Sequence, residues 1–369
     1  MNLPRPVTHR FLGIGFVLAV TLQIASGQVD VLRGGDVSEI PQVEAAHGRF
    51  LYQGKPLDPF VIMRRAGWNY VRLRVWNHPQ DGFCDELHTL AMARRAKAVG
   101  LKISIDFHYS DSWADPGKQI KPAAWAHLDF SHLTEAVEAY TRQVIGALVA
   151  QGTPPSMVQI GNEIGAGMLW PDGQVGTKDP QQWAHLAALL KAGVDGAREG
   201  AHGLPVIVML HLQFGGDNAA AHWWLDHLLP YHVPFDAIGL SYYPFWHGHL
   251  DVFRANIDEL ADYYHRNIYV VETAYPWTAH HQGFSEILSK LEPGLPATPA
   301  GQAAFVARVM TIIREVPGGR GRGLLYWAPM WISTPQQGVP WDTLATFDDG
   351  GNALPSVDVV GRGMTSSGH

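Results

Sequence analysis

The sequence lacks most of the features that direct a chain to disulfide cross-links or to polyanions. Cys84 is the only cysteine among 369 residues, so no intrachain disulfide can form and the hydrophobic core must stabilise the fold. The 27 basic and 34 acidic residues give a formal net charge of −7, and no run is rich in Lys or Arg. This balance argues against nucleic acid as a partner, because phosphates require clustered cations.

Long apolar runs are also missing, apart from a short one at the N terminus. Arg5 and Arg10 precede the stretch FLGIGFVLAVTLQIASG, which ends in small residues at positions 25–27. This order is typical of a secretory signal peptide, so we predict that residues 1–27 are a signal and that residues 28–369 form the mature domain. The alternative, an uncleaved membrane anchor, is disfavoured because a bilayer span needs about 20 apolar residues. The predicted location is secreted or periplasmic, with no membrane association after cleavage.

Dinucleotide and metal motifs are absent as well. No G-x-G-x-x-G sequence follows a first strand, and the GGRGRG run at 318–323 is interpreted as a flexible loop that enters the last strand. Although 19 His residues are present, no H-x-x-x-H pattern or matching carboxylate pattern joins them. We therefore predict no metal ligands and no cofactor.

What the sequence does contain is a regular alternation of β-rich and helix-periodic segments. Strand–helix alternation indicates parallel strands with helices outside, and eight units predict an α/β fold of one domain, a (β/α)₈ TIM barrel. Strands are predicted at 31–35, 70–75, 102–107, 157–161, 205–210, 237–241, 269–271 and 323–326, and helices at 59–66, 86–99, 133–150, 181–199, 219–227, 251–264 and 302–314.

Polar or aromatic residues stand where nearly every predicted strand ends, which is where a (β/α)₈ barrel carries its active site. Glu163 follows the fourth strand and Glu272 the seventh. A carboxylate after an apolar strand is costly unless it is paired or used, so we expect these two to face each other across the barrel mouth. His108 alone would more often be a satisfied interior histidine. The other polar or aromatic residues at strand ends are Arg72, Arg74, Asp106, Tyr109, Asp111, Asn162, His211, Tyr242, Tyr243 and Trp327.

Two opposed carboxylates suit the hydrolysis of a glycosidic bond. One protonates the departing oxygen, while the other meets the positive charge that develops at the anomeric carbon. A separation of about 5–5.5 Å allows a covalent intermediate and retained configuration, whereas a wider one admits water and inverts. The 13 Trp fit either a large core or a sugar-binding cleft, because indole rings pack on the C–H faces of pyranosides.

Several segments of the sequence, in their order along the chain, resemble those of a known protein family. Asn162-Glu163 after strand four, with a second Glu after strand seven, resembles the retaining (β/α)₈ glycosidase clan that includes many cellulases and mannanases. VRLRVWNHPQDG, DFHYSDSWADPGKQ, VQIGNEIGAGMLWP, GLSYYPFWHG and VVETAYPWT together resemble glycoside hydrolase family 53, the arabinogalactan endo-β-1,4-galactanases, from about Gly34 to Ser356. The resemblance implies a secreted, endo-acting, retaining glycosidase whose partner is the polysaccharide galactan or arabinogalactan. We also expect a monomer.

The resemblance implies roles for individual residues. Glu163 is expected to be the general acid/base, and Glu272 the nucleophile, held by Arg72 and Tyr243. Asn162 is expected to bind the 2-hydroxyl of the sugar undergoing cleavage. The remaining expected substrate contacts are Trp327 beneath that sugar and, around it, His108, Asp111 and Trp113, with Trp170 and Trp246 extending the cleft.

Two segments depart from the family pattern. Members often show Y-W-E-P-x-W after strand eight, whereas this chain has Ala328 in YWAPMW, which predicts altered cleft contacts and retained catalysis. Some bacterial relatives bind a structural calcium through an Asp-rich loop after strand seven. The corresponding TAHHQGFSEILSKLEPGLP has no D-x-D pattern, so we expect no calcium there, although Asp348 and Asp349 leave a site open.

Three alternatives remain beside this interpretation. The nearest is the same retaining mechanism on another β-linked glycan such as mannan. A non-catalytic sugar-binding barrel is disfavoured, since it would keep the Trp residues and lose one carboxylate. A metal-dependent barrel hydrolase would need H-x-H at the end of the first strand, where Gly34-Gly35-Asp36 has none.

Overall fold

Eight parallel strands close into a barrel in the computed structural model, which describes Met1 and residues 31–280 and 285–362. Each strand pairs with its neighbours along the chain, and the eighth pairs with the first. The predicted (β/α)₈ fold is therefore confirmed, whereas the predicted signal peptide lies outside the described residues, Met1 apart. The strands are β1 (Leu32–Asp36), β2 (Tyr70–Val75), β3 (Lys102–Phe107), β4 (Met157–Ile160), β5 (Ile207–Leu212), β6 (Ala237–Ser241), β7 (Asn267–Glu272) and β8 (Gly321–Trp327).

Within the described part of the chain, each of the eight strands is followed by a longer helix on the outside of the barrel. These helices are α1 (Pro59–Ala66), α2 (Glu86–Ala98), α3 (Phe130–Ala150), α4 (Gln182–Gly200), α5 (Asn218–Leu228), α6 (Leu250–Tyr264), α7 (Pro299–Glu315) and α8 (Pro355–Arg362). The sequence pattern did not predict α8 or the short helices Ile40–Ala45 and Pro244–His247, which are too short to show a clear period. Among the described residues, no helix has the length and apolar character to cross a membrane.

Side-chain caps fix where several helices begin. The carboxylates of Asp58, Asp85, Asp129 and Asp217 accept backbone N–H bonds at the starts of α1, α2, α3 and α5. The hydroxyl of Thr298 does the same for α7. Such a cap satisfies N–H groups that have no partner within the helix, and it typically contributes about 1 kcal/mol.

The last strand begins earlier than its glycines suggest. The predicted loop at 318–323 is wrong in its second half, because β8 starts at Gly321 and Gly323 pairs with both Leu32 and Tyr269. A Cβ atom on Gly323 would lie 2.3 Å from the Leu32 carbonyl oxygen. The glycine therefore permits a close approach of β8 to β1, and pairing with two strands overrides the local preference for a loop.

The interior of the barrel changes from apolar to polar along the strands. A hydrophobic cluster near the beginning of the strands contains Leu32, Tyr70, Met157, Met209, Ala237, Tyr269, Val271 and Leu325. Further along several of these strands, the buried polar side chains include Asp36, Arg72, Asp106, Gln159, His211 and Ser241. Buried polar groups need hydrogen-bond partners. The polar layer is therefore a connected network, and it lies directly beneath the C-terminal ends of the strands.

An irregularity in strand pairing sets the direction of Glu272. The register between β6 and β7 shifts after Leu240, so that Ser241 pairs with Glu272 and Val271 is skipped. A β-bulge of this kind redirects a side chain out of the strict alternation of a strand. Val271 keeps its place in the interior apolar cluster while Glu272, the next residue, reaches the polar layer at the barrel mouth.

Candidate active site

A cleft of about 450 Å³ opens at the C-terminal ends of the strands. Glu163, three residues after the end of β4, and Glu272, the last residue of β7, both line it. The structure thus brings together two carboxylates that are more than a hundred residues apart in sequence. The aromatic side chains in the lining are those of Trp113, Tyr243, Trp246, Trp327 and Trp341.

Arg72 is the centre of the polar layer beneath the cleft. Its guanidinium is 1% exposed and donates to Oε1 of Glu272 from Nη1 at 3.2 Å and from Nη2 at 3.1 Å. It also bonds Asp106, and its Nε lies 3.4 Å from Oδ2 of Asp36. Although burial opposes the charged form, these carboxylates raise the pKa of Arg72 above its ordinary value. Arg72 is therefore a fixed cation that orients Glu272.

Glu272 is held from two sides. Arg72 binds one carboxylate oxygen, and the Tyr243 hydroxyl donates to the other at 3.1 Å. Burial raises the pKa of Glu272 to about 7, while the charge of Arg72 acts in the opposite direction. Burial and the neighbouring carboxylates raise the pKa of Tyr243 well above its usual value, so this phenol keeps its proton and remains a donor.

Glu163 has a different environment. Its backbone adopts the left-handed region, φ 49° and ψ 51°, and its Oε1 accepts a 2.7 Å hydrogen bond from Oγ of Ser241. Removal from solvent and the charge of Glu272 raise the pKa of Glu163 to about 8, and the bond from Ser241 lowers it. Because Arg72 contacts Glu272 directly, Glu272 is the more acidic of the two. A single proton on the pair resides on Glu163.

Asn162 is immobilised by three neighbours. Its Nδ2 donates to the Ala114 carbonyl at 2.9 Å, and its Oδ1 accepts from Arg72 Nη2 at 2.8 Å and from Gln159 Nε2 at 3.1 Å. The ring of His211 also lies close, with Nδ1 2.9 Å from Asn162 Oδ1. This amide, which lines the cleft next to Glu163, is therefore presented in one orientation.

Indole rings form the walls of the cleft. Trp327 lies with its ring centroid 4.4 Å from that of Trp341, at an interplanar angle of 82°. Trp113 lies 5.7 Å from Trp327, and the guanidinium of Arg74 supports it from 4.0 Å. Flat apolar walls beside a few fixed polar groups are suited to pyranose rings.

Two residues predicted as substrate contacts lie outside the lining of the cleft. Nδ1 of His108 accepts a bond from the Ala114 N–H at 3.0 Å, and its Nε2 lies 3.1 Å from Asp106. Burial lowers the pKa of His108, so the ring is neutral and satisfied within the polar layer. Asp111 accepts backbone N–H bonds from His78 and Ala123, 2.9 and 2.8 Å long, and thereby joins two loops. Both side chains therefore have partners within the protein, and their direct contact with substrate stays a prediction.

Two further expectations have mixed outcomes. Trp246 lines the cleft. Trp170 is not part of the lining, and its Nε1 donates to the Ala166 carbonyl at 2.9 Å. Ala328 is 2% exposed with φ 47°, and it contributes no side chain to the lining. Position 328 therefore adds no carboxylate to this cleft.

The described residues contain no group of three or more His, Cys, Asp or Glu side chains arranged to hold a metal ion. Asp348, which the sequence left open as a calcium ligand, accepts N–H bonds from Gly350 and Asn352, 2.9 and 2.8 Å long. Positions 281–284, within the segment compared with the calcium loop, lie outside the described residues.

Several lining residues were not identified from the sequence. Trp341 comes from the segment after β8, which gave no strand or helix signal to place it. Asp115, Gln213 and His247 also line the cleft, and Ser241 contacts Glu163 from the end of β6. The position of Ser241, directly before Tyr242 and Tyr243 at a predicted strand end, was the one available signal.

Comparison with known proteins agrees with this geometry. The sequence profile of glycosyl hydrolase family 53 matches residues 32–360. An arabinogalactan endo-beta-1,4-galactanase of Thermothelomyces thermophilus is 36% identical over 89% of this chain and 98% of its own length. One of Cellvibrio japonicus is 35% identical over 88% of each chain.

Solved structures give the same result. The GH53 catalytic domain of Ignisphaera aggregans superposes with a TM-score of 0.84 at 36% identity, covering 91% of this chain and 97% of that one. A fungal beta-1,4-galactanase superposes with a TM-score of 0.81 at 31% identity, covering 90% and 99%. The chain therefore belongs to glycosyl hydrolase family 53 and is a glycosidase.

Proposed function

We propose that the protein is an exported, endo-acting β-1,4-galactanase that cleaves galactan and type I arabinogalactan with retention of configuration. The observation that carries the proposal is the pairing of Glu163 and Glu272 in one cleft, in environments that separate their acidities. The substrate class is supported by the family and by relatives that are named arabinogalactan endo-beta-1,4-galactanases. Export rests on the N-terminal sequence, and a monomeric state is proposed with it.

In the first step, a carboxylate oxygen of Glu272 forms a bond to the anomeric carbon as the glycosidic C–O bond breaks. Glu163 donates its proton to the departing oxygen, so the leaving chain departs as a neutral alcohol. In the second step, water attacks the anomeric carbon, Glu163 takes the proton of that water, and the ester bond to Glu272 breaks. Each carboxyl group returns to its starting protonation state.

Asn162 and Arg72 support this chemistry in different ways. Asn162 lines the cleft in a fixed orientation and is proposed to bond the 2-hydroxyl of the sugar, a contact that strengthens in the transition state. Arg72 lies beneath Glu272 and acts through it, because both of its Nη atoms donate to protein groups and its Nε lies 3.4 Å from Oδ2 of Asp36. Trp327 and Trp113 are proposed to hold the sugar rings on either side of the cleavage point.

The roles of the two glutamates can be tested by azide rescue. Glu272→Ala should abolish turnover, and azide should restore part of it on an activated aryl β-galactoside by attacking the open α-face, which yields the α-galactosyl azide. Glu163→Ala should instead yield the β-azide, since azide then attacks the glycosyl-enzyme. The anomers are distinguished by NMR, and the same anomer from both variants would show that the roles are misassigned.

Substrate class is tested with a panel of polymers. The purified mature chain is incubated with potato galactan, birchwood xylan and galactomannan, and reducing ends and short products are measured. Release of galactose oligomers from galactan alone supports the proposal. Cleavage of galactomannan alone would favour the alternative, the same mechanism on a mannan, and would refute the galactanase assignment.

A further inference from the structure

A second cavity of about 560 Å³ lies outside the cleft, beside α2 and α3. Its rim includes Asn77 and His78, which follow the end of β2 by two and three residues, so it opens at the same end of the barrel as the cleft. The two helices and the segment after β3 supply the rest of the wall. The side chains used below are Glu86, Trp125, Ala139, Tyr140 and Gln143.

Asn77 gives this cavity an unsatisfied acceptor. The residue is only 8% exposed, and its Oδ1 has no hydrogen-bond partner among the described residues. Its backbone N–H donates to the Ser110 carbonyl, which fixes the residue in place. A buried amide oxygen without a donor is costly, and a turn of this side chain toward the cavity would let a hydroxyl group of a ligand supply that donor.

The rest of the lining favours a neutral ligand that is rich in hydroxyl groups. Trp125 and Tyr140 are half-buried, and their rings meet edge-to-face with centroids 5.9 Å apart. Gln143 donates from Nε2 to Oε2 of Glu86 at 2.6 Å, which forms a pair of polar side chains in the same lining. Aromatic faces combined with carboxylate and amide groups are the contacts by which proteins bind sugars.

Contacts among Tyr140, Trp76 and Trp113 connect this cavity with the cleft. The Tyr140 hydroxyl, in the second cavity, donates to the Trp76 carbonyl at 3.0 Å. The ring of Trp76 in turn lies 5.2 Å from that of Trp113, which lines the cleft. A polysaccharide chain that occupies the cleft is therefore close enough for another part of the same chain, or of a neighbouring one, to reach the second cavity.

We propose that this cavity is a secondary binding site for a short segment of β-linked galactan, distinct from the site of cleavage. The identity of the sugar rests on the proposed function of the cleft, whereas the existence of the site rests on the cavity and its lining. A second contact with the same polymer raises the effective concentration of substrate at the cleft. The site therefore contributes to polymer turnover and not to the turnover of oligomers too short to reach it.

Ala139 offers a direct test because it is exposed on α3 and lines the cavity. Ala139→Arg should fill the cavity while leaving the helix intact, since Arg is a good helix former. Ala91→Arg, at an exposed position of α2 outside the cavity, is the matched control. Both are made in the full chain and also in a Glu272→Gln background, which removes turnover so that binding can be measured alone.

Retention on native gels containing galactan is measured in the Glu272→Gln background, with xylan gels as the comparison. Ala139→Arg should weaken galactan retention about five-fold, and in the active chain it should lower the ratio of kcat/KM on galactan to that on galactotetraose by a similar factor. Ala91→Arg should change neither. A second variant, Trp125→Ala, should reproduce the loss if its melting temperature shows that it is folded.

The outcomes separate the two proposals. If the wild-type chain cleaves galactan and Ala139→Arg is retained as strongly as its parent, the secondary site is wrong and the proposed function stands. If the wild-type chain does not cleave galactan, the proposed function is wrong. Retention by another glycan that Ala139→Arg weakens would then keep a saccharide site but overturn galactan as its ligand.

Discussion

Ser241, the last residue of β6, donates a 2.7 Å hydrogen bond to the carboxyl group of Glu163, which follows β4. Ser241 is itself fully buried, and its Oγ lies 2.9 Å from Nε2 of His211. The contact lowers the pKa of Glu163, against burial and the charge of Glu272, which raise it. Ser241 is therefore placed to adjust the acidity of the proposed proton donor.

Ser241→Ala should shift the pH profile of the enzyme. Because Glu163 must be protonated in the first step, activity is lost as pH rises through its pKa, and removal of the Ser241 bond raises that pKa. The basic limb of kcat/KM should move up by about half a unit to one unit. Ser104→Ala, which alters a buried serine of β3 whose Oγ has no partner among the described residues, is the control and should leave the profile unchanged.

Tyr243→Phe should shift the acidic limb of the pH profile. Its hydroxyl stabilises the ionised form of Glu272, so its loss raises the pKa of Glu272 and moves the acidic limb of the profile to higher pH. We expect kcat to fall about 10- to 100-fold, measured on an aryl β-galactoside. Tyr242→Phe is the matched control, since that hydroxyl donates to the Gly248 carbonyl. Equal losses in both variants would contradict the assigned role of Tyr243.

Trp246→Ala should weaken binding with little effect on chemistry. The ring is 51% exposed and lines the cleft, so its removal takes away a sugar-stacking surface without opening the core. KM on galactan should rise about five- to ten-fold, while kcat stays within about two-fold. Trp223→Ala is the control, because this Trp of α5 is 41% exposed and is not part of the lining of the cleft; it should change neither value. A loss confined to kcat would refute the stacking role.

The buried carboxyl group of Glu39 should make the stability of the folded protein depend on pH. It is 1% exposed, its Oε1 accepts from the Met330 N–H at 3.1 Å, and its Oε2 has no hydrogen-bond partner among the described residues. Burial, together with the charge of Asp36, raises its pKa from 4.5 to about 8. The folded state thus binds this proton more tightly than the unfolded state does, and the associated stability is lost as pH rises from 4.5 through about 8.

Glu39→Gln should flatten that dependence, since the amide keeps the bond from Met330 and cannot ionise. The variant should match the wild type near pH 4 and exceed its free energy of unfolding above pH 8 by on the order of 5 kcal/mol. Urea unfolding across this pH range is the measurement. Glu135→Gln, at an exposed position of α3, is the control. Equal pH dependence in wild type and Glu39→Gln would show that Glu39 does not ionise in this range.

The barrel was predictable because its strands are regular. Three of the eight, Tyr70–Val75, Lys102–Phe107 and Ala237–Ser241, have the bounds that the sequence predicted. In the first two, apolar residues alternate with polar ones such as Arg72 and Asp106, and the third is apolar up to Ser241, so the pattern marks both the element and the position of the site. β8 was harder, because its glycines favour a loop locally and are used for strand contact.

The candidate site was predictable only in part. Glu163 and Glu272 were identified because a charged residue at the end of a buried strand has few structural explanations. The partners of His108 within the protein were not predictable, because a strand-end position shows where a residue lies and not whether a neighbour already satisfies it. Trp341 was missed because it lies in irregular chain, whose path depends on tertiary contacts with Trp327 and others.

The arginine buried under the cleft has an electrostatic consequence for the choice of polymer. With Glu163 protonated, the charged groups here are two guanidinium groups, of Arg72 and Arg74, and three carboxylates, of Asp36, Asp106 and Glu272. The net charge of these groups is therefore −1. Such a floor attracts the cationic sugar ring of the transition state, in a medium that screens charge less than water does. It equally repels negatively charged sugars such as uronic acids, so we expect the cleft to favour uncharged polysaccharides.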